Sequence, residues 1–208
     1  MRVISGTARG RKLNQPGGYD IRPTSDLVKE AIFNIIQFDV EGRRVLDLFA
    51  GTGQLGIEAL SRGAKNAVFV DSNPVAVTLI RENLKACGLM DAATVMARDV
   101  LRYLGSGHNA RYGRRDSAEV RVTQSEHTPD RQFEIEKFDI IFLDPPYSST
   151  LAAEAIQKII KFDKLDTNGI MICETGACSA LPEVAPPYIL QREYIYGRVK
   201  IARFTRGV

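Results

Sequence analysis

The stretch DLFAGTGQLG, residues 47–56, decides the fold predicted for this chain. It begins within the apolar run Val45–Phe49, which predicts a strand, and it leads into an apolar helical segment that begins at Leu55. Three glycines lie in the turn at G-x-G-x-x-G spacing. Glycine has no side chain, so the backbone N–H groups of such a turn can approach a bound ligand closely. The stretch therefore predicts a strand, a ligand-binding turn and a helix.

Outward from this stretch, short apolar runs alternate with helix-like segments, which is typical of a parallel sheet covered by helices. The runs lack strict alternation, as expected for strands that are buried on both faces. The fold class is therefore α/β. The predicted strands are Val45–Phe49, Ala67–Val70, Ala93–Ala97, Phe138–Leu143 and Gly169–Cys173, and the predicted helices are Leu55–Ser61, Pro74–Cys87 (stopped by Gly88) and Ser149–Phe162.

Extensions lie at both ends of this sheet. Residues 2–13 are basic and punctuated by glycine, and they predict a small hairpin. Apolar positions at three- and four-residue spacing predict a helix over Thr24–Ile36, capped by Thr24 or Ser25. Near the other end, Tyr188–Tyr194 and Arg198–Phe204 predict an antiparallel pair around Gly197. We therefore expect an N-terminal extension over residues 1–40 and a main domain over residues 41–208.

Composition narrows the chemistry of the chain. With 44% apolar residues it can bury a core, and it has neither an apolar leader nor a long apolar span, so we expect a cytoplasmic protein without a membrane partner. Residues 105–137 balance six basic against six acidic side chains and predict a flexible surface insertion. Both histidines, His108 and His127, lie there, which argues against histidine catalysis. The three cysteines have no paired spacing, which argues against a disulfide framework or a thiolate metal site.

The two ends of the chain are basic. Residues 1–12 carry four basic and no acidic side chains, and residues 188–208 carry five basic and one acidic. If the ends meet in space, they form a face that attracts a polyanion. Solvated terminal charge is the alternative, and the sequence leaves both open.

Two cofactor classes fit the glycine turn. Gly51, Gly53 and Gly56 satisfy the dinucleotide fingerprint, and Asp71, twenty residues after Gly51, could hold a ribose in either class. Asp47 favours S-adenosylmethionine, because a carboxylate at the strand tip would repel a pyrophosphate and attract the cationic methionine part.

Asp71 would then accept hydrogen bonds from the ribose hydroxyls and Asp99 one from the adenine amino group, although either could be a helix cap instead. The candidate cofactor-binding residues are Asp47, Phe49, Ala50, Gly51, Thr52, Gly53, Asp71, Ser72, Asp99 and Val100.

The tetrad DPPY, residues 144–147, follows the fourth predicted strand, at the edge where open α/β sheets bind ligands. Its chemistry suits methylation of an exocyclic amine. Asp144 and the Pro145 carbonyl can each accept one N–H and so aim the nitrogen, Pro146 fixes the backbone, and Tyr147 offers a face on which a base can stack. A proline turn followed by a core aromatic is the structural alternative. The reaction needs no metal.

The chain resembles the RsmD-type bacterial 16S ribosomal RNA guanine-N2 methyltransferases over nearly its whole length. The resemblance is carried by the following motifs: RVISG (2–6), Gly10-Arg11, RPT (22–24), EAxFN (30–34), DLFAGxGxLGxEALSRGA (47–64), DPPY (144–147) and Tyr196-Gly197. Departures occur at Leu27 and Lys29, where the family usually has arginines, and at Arg198 and Val199, where it usually has Asp-Thr.

This resemblance implies a Rossmann-like class I methyltransferase sheet, mostly parallel with a C-terminal antiparallel strand. It implies S-adenosylmethionine as donor and S-adenosylhomocysteine as product. The acceptor would be a guanosine of 16S ribosomal RNA, in the small subunit or an assembly intermediate, and we expect a monomer. It also implies that the N-terminal hairpin contacts RNA, with Arg9, Arg11, Lys12 and Arg22 as candidates.

Three alternatives remain open at this point. Adenine-N6 methyltransferases share the DPPY tetrad. The glycine spacing permits a nicotinamide dehydrogenase. The basic termini would also suit a non-catalytic RNA-binding assembly factor.

Overall fold

The computed structural model describes residues 1–15, 26–105, 137–147 and 150–208. Its elements, in chain order, are α1 (Asp26–Ile35), β1 (Arg44–Leu48), α2 (Gln54–Ser61), β2 (Asn66–Asp71), α3 (Pro74–Cys87), a 3₁₀ turn (Met90–Ala92), β3 (Ala93–Ala97), α4 (Val100–Gly105), β4 (Phe138–Leu143), α5 (Leu151–Lys161), β5 (Leu165–Gly176), β6 (Tyr188–Tyr196) and β7 (Val199–Arg206).

The strands form one sheet in the order β3-β2-β1-β4-β5-β7-β6. Strands β1 to β5 pair in parallel, and β7 is inserted antiparallel between β5 and β6. The strand order reverses between β1 and β4. Open α/β sheets bind ligands beyond the carboxyl ends of the strands at such a reversal.

The sheet separates two apolar layers. One contains buried side chains of α1, α2, α3 and the N-terminal segment, and the other contains side chains of α4 and α5. Because β1 and β4 are covered on both faces, their side chains are almost entirely buried, which explains their continuous apolar runs.

The predicted strands and helices of the main domain are present, with differences at their ends. Strand β5 runs from Leu165 to Gly176, well beyond the predicted Gly169–Cys173, because its second half pairs with β7 up to Val199. The helix Pro74–Cys87 has the predicted bounds. Asn73 caps its start by accepting the Val75 N–H at 2.9 Å, and Gly88 ends it at φ 70°. The predicted caps Thr24 and Ser25, and nearly all of the insertion 105–137, lie outside the described residues.

The N-terminal segment, residues 1–15, has one strand-like bridge, between Arg2 and Lys12, rather than a regular hairpin. It is attached to α2 through two buried side chains. The Glu58 carboxylate accepts the N–H groups of Ile4 and Ser5 at 2.7 and 2.9 Å, and the Ser61 hydroxyl accepts the Ala8 N–H at 2.9 Å. The segment is therefore held by backbone hydrogen bonds to a helix that begins at the glycine turn.

Lys29 strengthens this attachment from α1. Its side chain is fully buried, its Nζ donates to the Arg2 carbonyl, and it lies 3.9 Å from the carboxylates of Glu58 and Asp26. Burial lowers the pKa of Lys29, and the two carboxylates oppose that shift. Lys29, which stands where the family usually has arginine, therefore lies at the contact between α1, α2 and the N-terminal segment.

Among the residues the structure describes, no helix is long and apolar enough to cross a membrane.

Two glycines of the N-terminal segment give a matched test of its packing. Gly6 and Gly10 have nearly equal positive φ angles, 81° and 82°, but a Cβ on Gly6 would lie 1.7 Å from the Ser61 carbonyl oxygen, whereas a Cβ on Gly10 would meet nothing within 4 Å. We expect Gly10→Ala to cost roughly 1–2 kcal/mol for its backbone conformation. Gly6→Ala should cost about 1–3 kcal/mol more from overpacking. Urea unfolding measures both, and equal losses would contradict the packing described.

Candidate active site

The register of the sheet brings four adjacent positions together at its carboxyl edge. Leu48 of β1 pairs with Val70 of β2 and with Leu143 of β4, and Leu143 pairs with Cys173 of β5. The residues that directly follow Val70, Leu48, Leu143 and Cys173 are Asp71, Phe49, Asp144 and Glu174. These four residues therefore lie side by side. Asp47 lies two residues before Phe49.

The carboxylates among these residues share one face of the sheet. Side chains alternate between faces along a strand, and Phe69, Phe142 and Ile172 pack in the layer that contains α2 and α3. Asp71, Asp144 and Glu174 each follow two residues after one of them, so they continue on that face. The glycine turn and α2 lie above the same face.

A cavity of about 500 Å³ opens between these residues and the glycine turn. All four predicted catalytic residues, Asp144, Pro145, Pro146 and Tyr147, line it. All the predicted cofactor-binding residues except Gly53 also line it, namely Asp47, Phe49, Ala50, Gly51, Thr52, Asp71, Ser72, Asp99 and Val100.

Gly53 has a structural role instead. It is the residue before α2, at φ 76°, and a Cβ there would lie 3.2 to 3.3 Å from Ile80 and Ile57. Gly56 permits an even closer approach, since a Cβ would lie 2.3 Å from the Phe69 ring. These two glycines let α2 pack tightly on β2 and α3, which places its first turn at the cavity.

Asp47 is 1% exposed, and its Oδ2 accepts the Gly56 N–H at 2.8 Å. Burial raises the pKa of Asp47 well above its ordinary value, and the nearby charges of Asp144 and Asp71 raise it further, while the Gly56 N–H acts in the opposite direction. Asp47 therefore fixes the start of α2 and adds a buried carboxyl group, whose neutral form is favoured, to the lining of the cavity.

Asp71 and Asp99 combine structural hydrogen bonds with their places on the cavity wall. The two oxygens of Asp71 accept the N–H groups of Gly51 and Asn73, each at 2.8 Å. Asp99 accepts the Arg102 N–H at 2.9 Å, as a cap of α4. A carboxylate has about four acceptor sites, so these bonds are compatible with a bound ligand.

The DPPY tetrad forms the opposite wall. Asp144 is half-buried, Pro145 is buried and Pro146 is exposed. The Tyr147 hydroxyl donates a hydrogen bond to the Glu174 carboxylate, which is itself only 2% exposed. Tyr147 thus lines the cavity and also packs, half-buried, against the apolar layer that contains α2 and α3.

Comparisons with known proteins identify the family of this chain. The chain matches the family described as Conserved hypothetical protein 95 over residues 1–112 and 107–205. It is 35% identical over 206 residues to YlbH of Bacillus subtilis (strain 168), covering 99% of each chain. It is 31% identical to Ribosomal RNA small subunit methyltransferase D of Haemophilus influenzae, covering 84% of this chain and 78% of that one. The chain belongs to the RsmD-type methyltransferase family.

A solved structure supports the same assignment. The Escherichia coli protein yhhF superimposes with a TM-score of 0.78 at 28% identity, covering 100% of this chain and 98% of that one. The likeness confirms the predicted class I methyltransferase fold, and membership of the RsmD-type family confirms the predicted enzyme class.

Several cavity residues were not predicted as site residues from the sequence. Among them, Gln54 and Glu174 carry polar groups that are at least nine-tenths buried. Within the part of the chain that the structure describes, the Gln54 Oε1 atom has no hydrogen-bond partner. The strand-end position of Glu174 was a usable signal, since it follows an apolar run as Asp71 and Asp144 do. For Gln54, the sequence offered no signal of a role in the site other than its position in the glycine stretch. The remaining unpredicted cavity residues are Leu55, Asn73, Ala76 and Leu151.

The basic residues at the two ends of the chain differ in their surroundings. Arg9, Arg11 and Lys12 are exposed, whereas Arg22 lies outside the described residues. At the other end, three basic residues make contacts within the fold. Lys200 contacts Ser179 and Glu193, Arg203 contacts Ile35 and Asp39, and Arg206 contacts Asp163 and Thr167. Three of the five basic residues near the C-terminus therefore make contacts within the fold and are not simply exposed charges.

Within the described ranges, no group of three or more His, Cys, Asp or Glu side chains has an arrangement that could hold a metal ion.

The raised pKa of Asp47 predicts how stability varies with pH. Between the ordinary carboxyl pKa and the raised one, the folded protein binds more protons than the unfolded chain, so its free energy of unfolding decreases as the pH rises. Asp47→Asn keeps an oxygen that can accept the Gly56 N–H and removes the charge. We expect the ligand-free variant to be more stable than the parent at pH 7, with the difference shrinking toward pH 4. Denaturant unfolding at several pH values measures this. A constant difference, or a variant that is less stable at every pH, would contradict the shift.

Proposed function

We propose that this chain transfers a methyl group from S-adenosylmethionine to the exocyclic N2 of a guanosine in 16S ribosomal RNA. The substrate is the small ribosomal subunit or an assembly intermediate in the cytoplasm. One observation carries the proposal: the DPPY tetrad and the glycine turn line the same cavity, so an amine held by the first faces a ligand held by the second.

The charge of the cavity supports a cationic cofactor. Five carboxyl groups line it, those of Asp47, Asp71, Asp99, Asp144 and Glu174, and no lysine, arginine or histidine among the described residues does. This field would repel the two phosphates of a nicotinamide dinucleotide, which disfavours the dehydrogenase alternative. S-adenosylmethionine, when bound, supplies a methyl group on a sulfonium and leaves as the neutral S-adenosylhomocysteine.

Individual residues suit that cofactor. Asp71 lies at the end of β2, where it can accept from ribose hydroxyls, and exposed Asp99 can accept from the adenine amino group. The buried Gln54 oxygen, which has no partner among the described residues, offers an acceptor for the ammonium group of the methionine part. The backbone of the glycine turn forms the remaining wall.

The tetrad would position the acceptor base. The amino nitrogen of guanine is a poor nucleophile because its lone pair is conjugated with the ring. Asp144 and the Pro145 carbonyl each accept one of its N–H groups, which aims the nitrogen and favours the charge that develops during transfer. Tyr147, held by Glu174, provides a stacking face worth roughly 1 to 3 kcal/mol.

The N-terminal segment is placed to hold RNA beside the cavity. The Asn83 side chain donates to the Asn14 carbonyl at 3.2 Å and to the Thr52 carbonyl of the glycine turn at 2.9 Å. The Thr52 hydroxyl also lies 3.8 Å from the Met1 sulfur. Exposed Arg9, Arg11 and Lys12 therefore belong to a segment that is attached directly to the cofactor turn. Guanine N2 is hydrogen-bonded in a paired helix, so the target is an unpaired or extruded base.

Removing the Asp144 carboxylate tests the catalytic part of the proposal. Asp144→Ala should lower turnover by at least about 10²-fold, because the nitrogen is no longer held by a positioning acceptor. Binding of S-adenosylmethionine, measured by calorimetry, should persist. Asp144→Asn is the matched control: its amide oxygen still accepts one N–H, so it should retain more turnover than the alanine variant. Equal turnover in Asp144→Ala and the parent would remove Asp144 from the mechanism.

The product identifies the base. Nucleoside analysis of small-subunit RNA from cells with and without the gene should find N2-methylguanosine only when the gene is present. N6-methyladenosine in its place would favour the adenine alternative, and no modified nucleoside would favour a non-catalytic assembly factor.

Charge removal in the N-terminal segment tests its binding to RNA. Arg9→Ala, Arg11→Ala and Lys12→Ala should each flatten the log–log salt dependence of RNA affinity, by about 0.7 to 0.9 for every phosphate that the protein no longer neutralises. Lys161→Ala is the control, because this exposed lysine ends α5 on the other face of the sheet. A slope that is unchanged in all three variants would mean that these charges are merely solvated.

A further inference from the structure

We propose that Glu174 determines which base is methylated, by accepting a hydrogen bond from N1–H of the target guanine. This inference rests on the proposed function and deepens it. Asp144 and the Pro145 carbonyl explain how an exocyclic amine is held by hydrogen bonds. The same two acceptors would, however, hold guanine N2 and adenine N6 equally well. A second group must therefore read the ring atom beside the amine.

Glu174 occupies the position that this reading requires. Leu143 of β4 pairs with Cys173 of β5, so Asp144 and Glu174 are the next residues on two adjacent parallel strands. Neighbouring strands are spaced about 4.7–4.9 Å apart. Both side chains line the cavity and lie on the face of the sheet that α2 and α3 cover. A base whose amine is held at Asp144 therefore presents its adjacent ring edge to Glu174.

The surroundings of Glu174 make it sensitive to that edge. The residue is 2% exposed, and a buried carboxylate needs hydrogen-bond donors to offset the loss of water. The Tyr147 hydroxyl supplies one. Because a carboxylate has about four acceptor sites, it can accept from Tyr147 and from a base simultaneously. The same residue thus holds the stacking tyrosine and faces the base that stacks on it.

The two candidate bases differ at the atom that Glu174 would meet. In guanine, N1 carries a hydrogen next to the N2 amine, so these two adjacent groups are both donors. In adenine, N1 beside the N6 amine is a bare acceptor, which a carboxylate repels. A site built to accept a hydrogen bond rejects a base that lacks the donor, because its own buried polar group is then left unpaired. Glu174 therefore favours guanine over adenine.

The test compares guanosine with 2-aminopurine riboside at the modified position of an RNA substrate. The analogue keeps the amine at C2 but has a bare N1. We expect the parent enzyme to prefer guanosine by at least about 10²-fold in kcat/KM. Glu174→Gln offers an amide that can either donate or accept, so it should lower this preference at least about tenfold. Unchanged melting temperature and cofactor affinity would show that the variant is folded.

Tyr147→Phe is the matched control, because it removes the hydroxyl that Glu174 holds and leaves the carboxylate in place. If Glu174 acts only by positioning Tyr147, both variants should lower turnover on the two substrates equally and leave the preference unchanged. That result would overturn the inference. So would a parent enzyme that methylates both bases equally well, whatever the variants do. A parent that makes no N2-methylguanosine at all would instead defeat the proposed function.

Discussion

Like charges are crowded at the carboxyl edge of this sheet, and the site depends on that crowding. The register of β2, β1, β4 and β5 forces Asp71, Asp144 and Glu174 onto one level, with Asp47 buried beneath them. The pKa of Asp47 is raised by burial first and by its neighbours Asp144 and Asp71 next. This clustering of like charges lowers the stability of the ligand-free protein. We therefore attribute it to the binding of a cation rather than to the needs of the fold. The cavity is therefore suited to a positively charged ligand before any ligand enters.

The chain tolerates the crowding because Asp47, Asp71 and Glu174 each accept a hydrogen bond from a separate donor. Gly56 donates to Asp47, Gly51 to Asp71, and the Tyr147 hydroxyl to Glu174. Two of these donors are backbone N–H groups of the glycine stretch. The glycines thus have two functions, since they allow the close approach of α2 and they present the N–H groups that hold the acids in place.

The spacing of the sequence was sufficient to predict most of the site. Asp71 and Asp144 each follow an apolar run and Asp47 lies within one, and parallel strands bring the ends of such runs together, so their meeting follows from the fold class. Glu174 directly follows the predicted strand Gly169–Cys173, so the same rule would have found it, although β5 itself continues to Gly176 by pairing with β7. Charge counting could not show the surroundings of the basic residues near the C-terminus. Composition registers Lys200, Arg203 and Arg206 as basic but not the carboxylates and carbonyls that they contact.

Under the proposed function, the opposite charges of the cavity and the N-terminal segment separate the target base from the phosphates of the RNA. An acidic cavity repels phosphate, so the RNA backbone cannot follow a base into it. The exposed arginines and lysine of the segment attract that backbone, and Asn83 ties the segment to the same turn that lines the cavity. A neutral base can enter while its phosphates stay on the segment outside. In the proposed reaction, the separation of charge that suits a cationic methyl donor therefore also favours an extruded nucleobase, so one electrostatic arrangement serves both substrates.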